Sequence, residues 1–198
     1  MQRRIVLASS SSYRQELLKR LQLPFVIEVP AVDETMLPGE SHRRTTERLS
    51  LLKANAAAQR QPGAILIGAD QLAELDGTTI GKPATAAAAR EQLLFMRGRT
   101  VRFHSGVAVL DGAGGQHIVD CIDTDVTFRQ LSEQSIDTYL RLEQPYDCAG
   151  SAKIEGLGIC LVASVRSDDP TALIGLPLIR LTSMLAALGV VLPLRSVG

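Results

Sequence analysis

Asp70 ends the apolar run Ala64-Ile65-Leu66-Ile67-Gly68-Ala69 and is followed by Gln71. A short apolar run that finishes in a carboxylate predicts a buried strand delivering an acid to the edge of a sheet. In open α/β sheets, ligands bind where such strands end. A carboxylate among apolar neighbours needs a partner or a metal. Elsewhere the chain offers Arg14 beside the run Ser9 to Ser12, the acidic pair Asp33 and Glu34, Lys53, and Lys82 in Gly81-Lys82-Pro83. Acids, two lysines and an arginine suit a site for a metal ion and a polyphosphate. Hard carboxylate oxygens take Mg²⁺, which keeps phosphate oxygens among its ligands, and arginine pairs bidentately with phosphate.

Each piece also has a plainer meaning. The serines stand between a strand and a helix start, where free amides attract anions; an ordinary helix cap with a solvated arginine needs the same residues. The pattern GxxxxGK[ST] is absent, so this is no P-loop. Asp33 and Glu34 also fit solvated loop acids, and lone lysines usually lie on the surface. The segment from Asp147 to Gly158 mixes glycine, small residues, Lys153 and Glu155 without apolar periodicity, as pocket-lining loops do. Its Gly156-Leu157-Gly158 lacks the rest of a dinucleotide fingerprint. His42, His104 and His117 share no ligand-like spacing, which argues against zinc.

Positioning these residues requires an ordered α/β framework, and 198 residues supply enough chain for one domain with a real core. The 21 basic and 21 acidic residues cancel, which argues against a general nucleic-acid binder. Cys121, Cys148 and Cys160 form no CxxC pair and cannot all be paired, as expected in a reducing cytoplasm. No apolar stretch approaches ~18 residues, so no membrane span is expected. Met1-Gln2-Arg3-Arg4 followed by Ile-Val-Leu-Ala resembles a signal peptide only for four apolar residues.

Arg4 to Ala8 reads as a strand. Ser12 and Gln15 fit a capping box, opening a helix with Tyr13, Leu17, Leu18 and Leu21 at helical spacing. Pro24 stops it, and Phe25 to Val29 is a second strand. Pro30 to Ser41 is a loop; Arg43 to Gln61 is helical. Ala64 to Leu75 carries Asp70 into a hairpin at Asp76-Gly77. Thr85 to Met96 and a segment capped by Ser132 to Leu142 are helices; Val101 to Leu110, Gln116 to Phe128 and Ile159 to Val165 are strands. Pro177 opens a last helix stopped at Gly189. The alternation followed by a long antiparallel stretch predicts a mixed, twisted central sheet with helices on both sides, in two lobes around a cleft.

The ordered set Leu7-Ala8-Ser9-Ser10-Ser11-Ser12-Tyr13-Arg14, Leu17-Leu18, Val32-Asp33-Glu34, Lys53-Ala54, Gly68-Ala69-Asp70-Gln71, Gly81-Lys82-Pro83 and Ala149-Gly150 through Glu155-Gly156 resembles the Maf family of nucleotide pyrophosphatases. The resemblance runs over nearly the whole chain and implies one Maf-like domain over residues 1–198. Within the family, Tyr13, Gln71 and Glu155 resemble the YceF-type subgroup, which is linked to 7-methyl-GTP. The sibling subgroup acting on dTTP and UTP typically has Arg, Thr and Gln there. Many members have Pro where this chain has Ser12; both residues suit a helix start.

The resemblance implies hydrolysis of a nucleoside triphosphate to monophosphate and pyrophosphate, as a house-cleaning activity against modified nucleotides. Asp70 is expected as general base, and Glu34 and Asp70 as ligands of Mg²⁺ or Mn²⁺. Ser9, Ser11, Arg14, Lys53 and Lys82 are expected to hold the triphosphate, and Tyr13, Gln71 and Glu155 to choose the base. A metal lowers the pKa of its carboxylate, so the two roles of Asp70 compete. The alternatives are a dTTP/UTP pyrophosphatase of the same family and a non-catalytic nucleotide-binding regulator of septum formation. The expected partner is a nucleotide, without stable nucleic-acid or membrane binding; a homodimer is compatible with the family.

Overall fold

A computed structural model describes residues 3–193; Met1 and Gln2 of the signal-like stretch lie outside the described residues. Its strands are β1 (Ile5–Ala8), β2 (Phe25–Ile27), β3 (Ile65–Leu75), β4 (Thr78–Ile80), β5 (Thr100–Asp111), β6 (His117–Phe128) and β7 (Val162–Ser167). The helices are α1 (Ser12–Lys19), α2 (His42–Ala58), α3 (Ala86–Met96), α4 (Glu133–Glu143) and α5 (Leu178–Ala187). The strands form one sheet in the order β2-β1-β3-β5-β6-β7, with β4 on β3. β1 runs parallel to β2 and β3, whereas β4 and β7 are antiparallel to their neighbours. The sheet is therefore mixed, as expected.

The chain divides into two compact units. The first holds the described parts of Met1–Gln71, Ser105–Ile122 and Asp169–Gly198; the second holds Leu72–His104 and Asp123–Asp168. In the first unit the strands are apolar on both faces, which requires cover on both. Ile5, Leu7, Ile65, Ile67, Ala69, Val107 and Val109 pack with Leu17 and Leu18 of α1 and with Leu178, Leu181, Met184 and Leu185 of α5. The alternate residues Val6, Ala8, Ala64, Leu66 and Leu110 pack with Ala54 and Ala57 of α2. This period-two division is the pleat of the strands; each large side chain so buried contributes about 1.5–3 kcal/mol. The second unit is built around α3, α4, the β3–β4 hairpin and the outer ends of the long strands.

Two local expectations change, and one gains detail. Ser11, not Ser12, caps α1, its hydroxyl accepting from Arg14 N; the first hydroxyl able to reach a free amide two or three residues on takes the cap. Asp70 lies within β3 as expected, and the strand continues for five residues beyond it, where β4 pairs with Ala73, Glu74 and Leu75. What ends near Asp70 is the parallel neighbour: the β1–β3 register stops at Ala8↔Gly68. Finally, β7 starts only at Val162, after a 3-10 turn over Leu157–Leu161.

Candidate active site

In the first unit, Gly68 and Gly106 decide how closely α2 approaches the sheet. A Cβ on Gly68 would stand 2.0 Å from the Ser50 carbonyl oxygen, and one on Gly106 would stand 2.5 Å from that of Thr46. With no side chain there, the helix backbone rests on the strands. Lys53, one turn beyond Ser50, then comes down beside Asp70, two residues beyond Gly68 and on the same face of β3. Lys53 Nζ donates to Asp70 Oδ1 at 2.6 Å and lies 2.8 Å from Glu34 Oε1. Lys53 and Asp70 are each 6% exposed, while Glu34 is exposed in the loop after β2.

The adjacent acids have separate fates. Asp33 accepts from Thr35 N at 2.9 Å and closes a local turn, so Glu34 alone reaches the lysine. Burial pushes the Asp70 carboxyl above its usual value; the Lys53 ammonium and then the Arg14 charge pull it back, and Glu34 adds to the rise. Burial lowers the Arg14 guanidinium, with Asp70 and Glu34 opposing, but a guanidinium stays charged in any case. The unit therefore holds two carboxylates and two cations acting on one another.

Arg14, in the first turn of α1, is fixed at both ends of its head. Its Nε donates to the Gly175 carbonyl at 2.9 Å, and its Nη1 lies 3.4 Å from Ser9 Oγ. Ser9 is buried, and its Oγ also accepts from Ser11 N at 3.1 Å. Ser9 and Ser11 thus shape the turn into α1 with their oxygens, and each hydroxyl hydrogen remains a donor. Tyr13 is half-buried in the same first turn. Gln71 faces away from Asp70 along β3. Its Nε2 is 2.9 Å from Ser105 Oγ, 3.1 Å from Ala172 O and 3.0 Å from Leu173 O. The nitrogen is committed to a hydroxyl and two carbonyls, so what Gln71 can still offer is the acceptor Oε1.

In the second unit, Lys82 and Glu155 are exposed. The Lys82 loop is tied to the 3-10 turn Ala149–Ser151, because Gly81 O accepts from Gly150 N at 3.4 Å and from Gln92 Nε2 at 3.0 Å. Glu155 rides on a turn in which Gly156 N and Gly158 N both donate to Lys153 O at 3.0 Å. Glu143 of α4 holds that turn, accepting from Leu157 N at 2.8 Å and pairing with Lys153 Nζ at 3.1 Å.

Sequence reasoning missed the loop from Asp169 to Leu178, which supplies the carbonyls for Arg14 and Gln71. Its signal was legible: Asp169-Pro170-Thr171 and Gly175-Leu176-Pro177 are strong turn residues standing before a helix. It also missed that His104 lies against Asp123 (2.8 Å) and Glu74 (3.3 Å), neighbours that follow from strand pairing rather than spacing.

A carboxylate pair gathered on a single ammonium has the oxygen donors that a divalent cation uses. The oxygens of Glu34 and Asp70 already turn toward one positive charge, and Mg²⁺ sites commonly use one or two carboxylates plus substrate phosphates. Beside the Arg14 guanidinium and a helix start, this arrangement has the charges to meet a polyphosphate and a carboxylate able to accept a proton.

Comparison with known proteins agrees with that chemistry. A family profile described as Maf-like protein matches residues 4–188. The chain is 58% identical to a "7-methyl-GTP pyrophosphatase" of Cupriavidus pinatubonensis, covering 94% of each chain. It is 58% identical to one of Ralstonia nicotianae, covering 91% of this chain and 93% of that one. A further relative of that name, from Methylobacillus flagellatus, is 52% identical over 94% of this chain and 97% of its own. Among solved structures, the Staphylococcus aureus Ham1 protein matches with a TM-score of 0.47 and 19% identity, covering 65% of this chain and 73% of that one. With a profile spanning every helix and strand of the described residues, and relatives more than half identical over nearly their whole length, this chain belongs to the Maf family.

Proposed function

We propose that this chain hydrolyses 7-methyl-GTP to 7-methyl-GMP and pyrophosphate. The observation that carries the reading is Lys53, buried between Asp70 and Glu34 at 2.6 and 2.8 Å. The relatives' shared name supplies the substrate. The chain is a nucleotide pyrophosphatase of the Maf family, a hydrolase acting on a phosphoric anhydride.

Water attacks the α-phosphorus, the bond to the bridging oxygen breaks, and pyrophosphate leaves. Asp70 takes the proton of the attacking water. Burial raises its carboxyl, which suits a base because a base works best when its pKa lies nearer the working pH; a bound metal would lower it again. Lys53 keeps enough of it ionised. Arg14, with the Ser9 and Ser11 hydroxyls and Lys82, binds the triphosphate, whose charge must be neutralised as the bond breaks. Glu34 and Asp70 would hold Mg²⁺ or Mn²⁺, which supplies further neutralisation of phosphate oxygens.

Base choice follows from charge. N7-methylation makes guanine cationic. The Tyr13 ring stacks on a cationic ring, and Glu155 accepts from the guanine ring NH and amino group through bonds strengthened by charge. Gln71 Oε1 adds a second acceptor. The working unit is taken as residues 1–198, since the family profile spans residues 4–188. We place it in the cytoplasm, where three free cysteines are at home; among the described residues no helix is long and apolar enough to cross a membrane. No stable nucleic-acid partner is expected at zero net charge. Homodimer formation is checked by light scattering.

Pyrophosphate release from 7-methyl-GTP, GTP, dTTP and UTP, with Mg²⁺ and with Mn²⁺, tests the reading. The highest kcat/KM is expected for 7-methyl-GTP. A preference for dTTP or UTP would refute the substrate, and no turnover of any nucleotide would favour a binding regulator.

A further inference from the structure

Asp169 is 1% exposed and has no part in the chemistry above. Its Oδ1 accepts from Thr171 N at 3.0 Å and lies 2.7 Å from Thr171 Oγ1. Its Oδ2 accepts from Ile179 N at 2.7 Å and Arg180 N at 3.3 Å, two amides of the first turn of α5. Thr171 Oγ1 is also 2.9 Å from Leu176 O and accepts from Leu178 N at 2.8 Å. One carboxylate and one hydroxyl therefore pin both ends of a loop to the start of α5. A buried charge is tolerated there because a helix N-terminus favours an anion.

The pinned loop presents its carbonyls to the site. Ala172 O and Leu173 O receive Gln71 Nε2, Ala172 O also receives Ser105 Oγ at 2.7 Å, and Gly175 O receives Arg14 Nε. Gly175 has φ 118°, and a Cβ there would stand 3.6 Å from Arg14 Nε, so the loop lies directly against the guanidinium. With Nε engaged by Gly175 O, the rotation of the fork is fixed about that bond.

We propose that Asp169, with Thr171, is a positioning residue: it locks the Ala172–Gly175 carbonyls so that Arg14 presents a preset guanidinium to the phosphate chain of the substrate. The inference rests on the reading of Arg14 as a phosphate ligand. Asp169→Asn keeps the shape but turns an NH₂ toward a backbone amide or the Thr171 hydroxyl, so the loop must shift. The cost falls on binding rather than on proton transfer, because Asp70 is held separately by Lys53.

The test is a double-mutant cycle on Asp169→Asn and Arg14→Gln, read by calorimetric titration with tripolyphosphate and by KM and kcat for 7-methyl-GTP. Asp169→Asn should weaken tripolyphosphate and raise KM about tenfold, the size of one lost hydrogen bond to a charged group, with kcat within threefold of wild type. The double variant should bind no more weakly than Arg14→Gln alone, since a residue that acts through Arg14 has nothing left to act on. If Asp169→Asn does not fold, Thr171→Val runs through the same cycle with the same expectation. Wild-type affinity in the Asp169 or Thr171 variant, losses that multiply in the double variant, or no tripolyphosphate binding by wild type would each overturn the inference. Tripolyphosphate binding that follows the cycle, with no pyrophosphate release from any nucleotide, would support it and reject the catalytic reading alone.

Discussion

The two compact units solve the problem of holding charge in opposite ways. In the first, Asp70, Lys53 and Glu34 are joined by contacts of 2.6 and 2.8 Å, and two of the three are buried. In the second, Lys82 and Glu155 stand exposed on loops whose backbones, not their charged ends, are tied down. Burial strengthens each electrostatic contact, and removing the cation there leaves two acids facing one another. Exposure leaves a side chain cheap to change and nearly neutral for stability. On the proposed reading, fixed charge in the first unit serves the reacting phosphate, whereas the second unit adds an exposed phosphate ligand, Lys82, and an exposed base contact, Glu155.

Replacing Asp70 with Asn separates activity from stability most sharply. The rate of pyrophosphate release should fall about 10³-fold, the usual weight of a general base. Yet the variant should be more stable than wild type at pH 7. The Asp70 carboxyl lies above its unfolded value. Its contribution is therefore intact below the ordinary carboxylate pKa and is lost as pH rises through the folded one. The stability gain of Asp70→Asn should shrink to nothing as urea titrations are carried down through that window.

Lys53→Met sharpens the same point from the other side. Removing the cation leaves two carboxylates facing each other, so the variant should lose about 3 kcal/mol at pH 7, the scale of breaking a buried pair. The acid limb of its activity profile should move to higher pH. Gly68→Ala attacks the support rather than the charge. A Cβ 2.0 Å from Ser50 O forces α2 outward, and overpacking of this kind costs about 1–3 kcal/mol, read as a lower Tm together with reduced activity.

In the second unit, Glu155→Gln should change the preference for 7-methyl-GTP over UTP about tenfold, the worth of one charge-assisted hydrogen bond, without moving Tm. Unchanged preference would remove Glu155 from base choice. Lys82→Ala should raise KM several-fold and alter stability by no more than about 0.5 kcal/mol.

The comparison also explains how much could be read before the fold was known. The β1–α1–β2 start, the strand carrying Asp70, the Asp76-Gly77 hairpin and the helix capped by Ser132 all follow local pattern, and all are present. Local pattern carried no record of pairing. The strand through Asp70 was legible to Leu75, but not that its parallel neighbour β1 stops beside Gly68. Asp33 and Glu34 could not be told apart, because only the fold places one within reach of Lys53. Lys53 read as a phosphate ligand, and nothing local showed that it would also bridge two acids 17 and 19 positions away. The Asp169–Thr171 lock depends on a loop returning from the far end of the chain to Arg14, 161 residues distant.

The most direct measurement is kcat/KM for 7-methyl-GTP from pH 5 to pH 9 in wild type and Asp70→Asn. The wild-type profile should show an acid limb above the ordinary carboxylate value, and the variant should keep only a small residual rate without that limb. A variant within tenfold of wild type, or one with the same limb, would contradict Asp70 as the group that takes the proton.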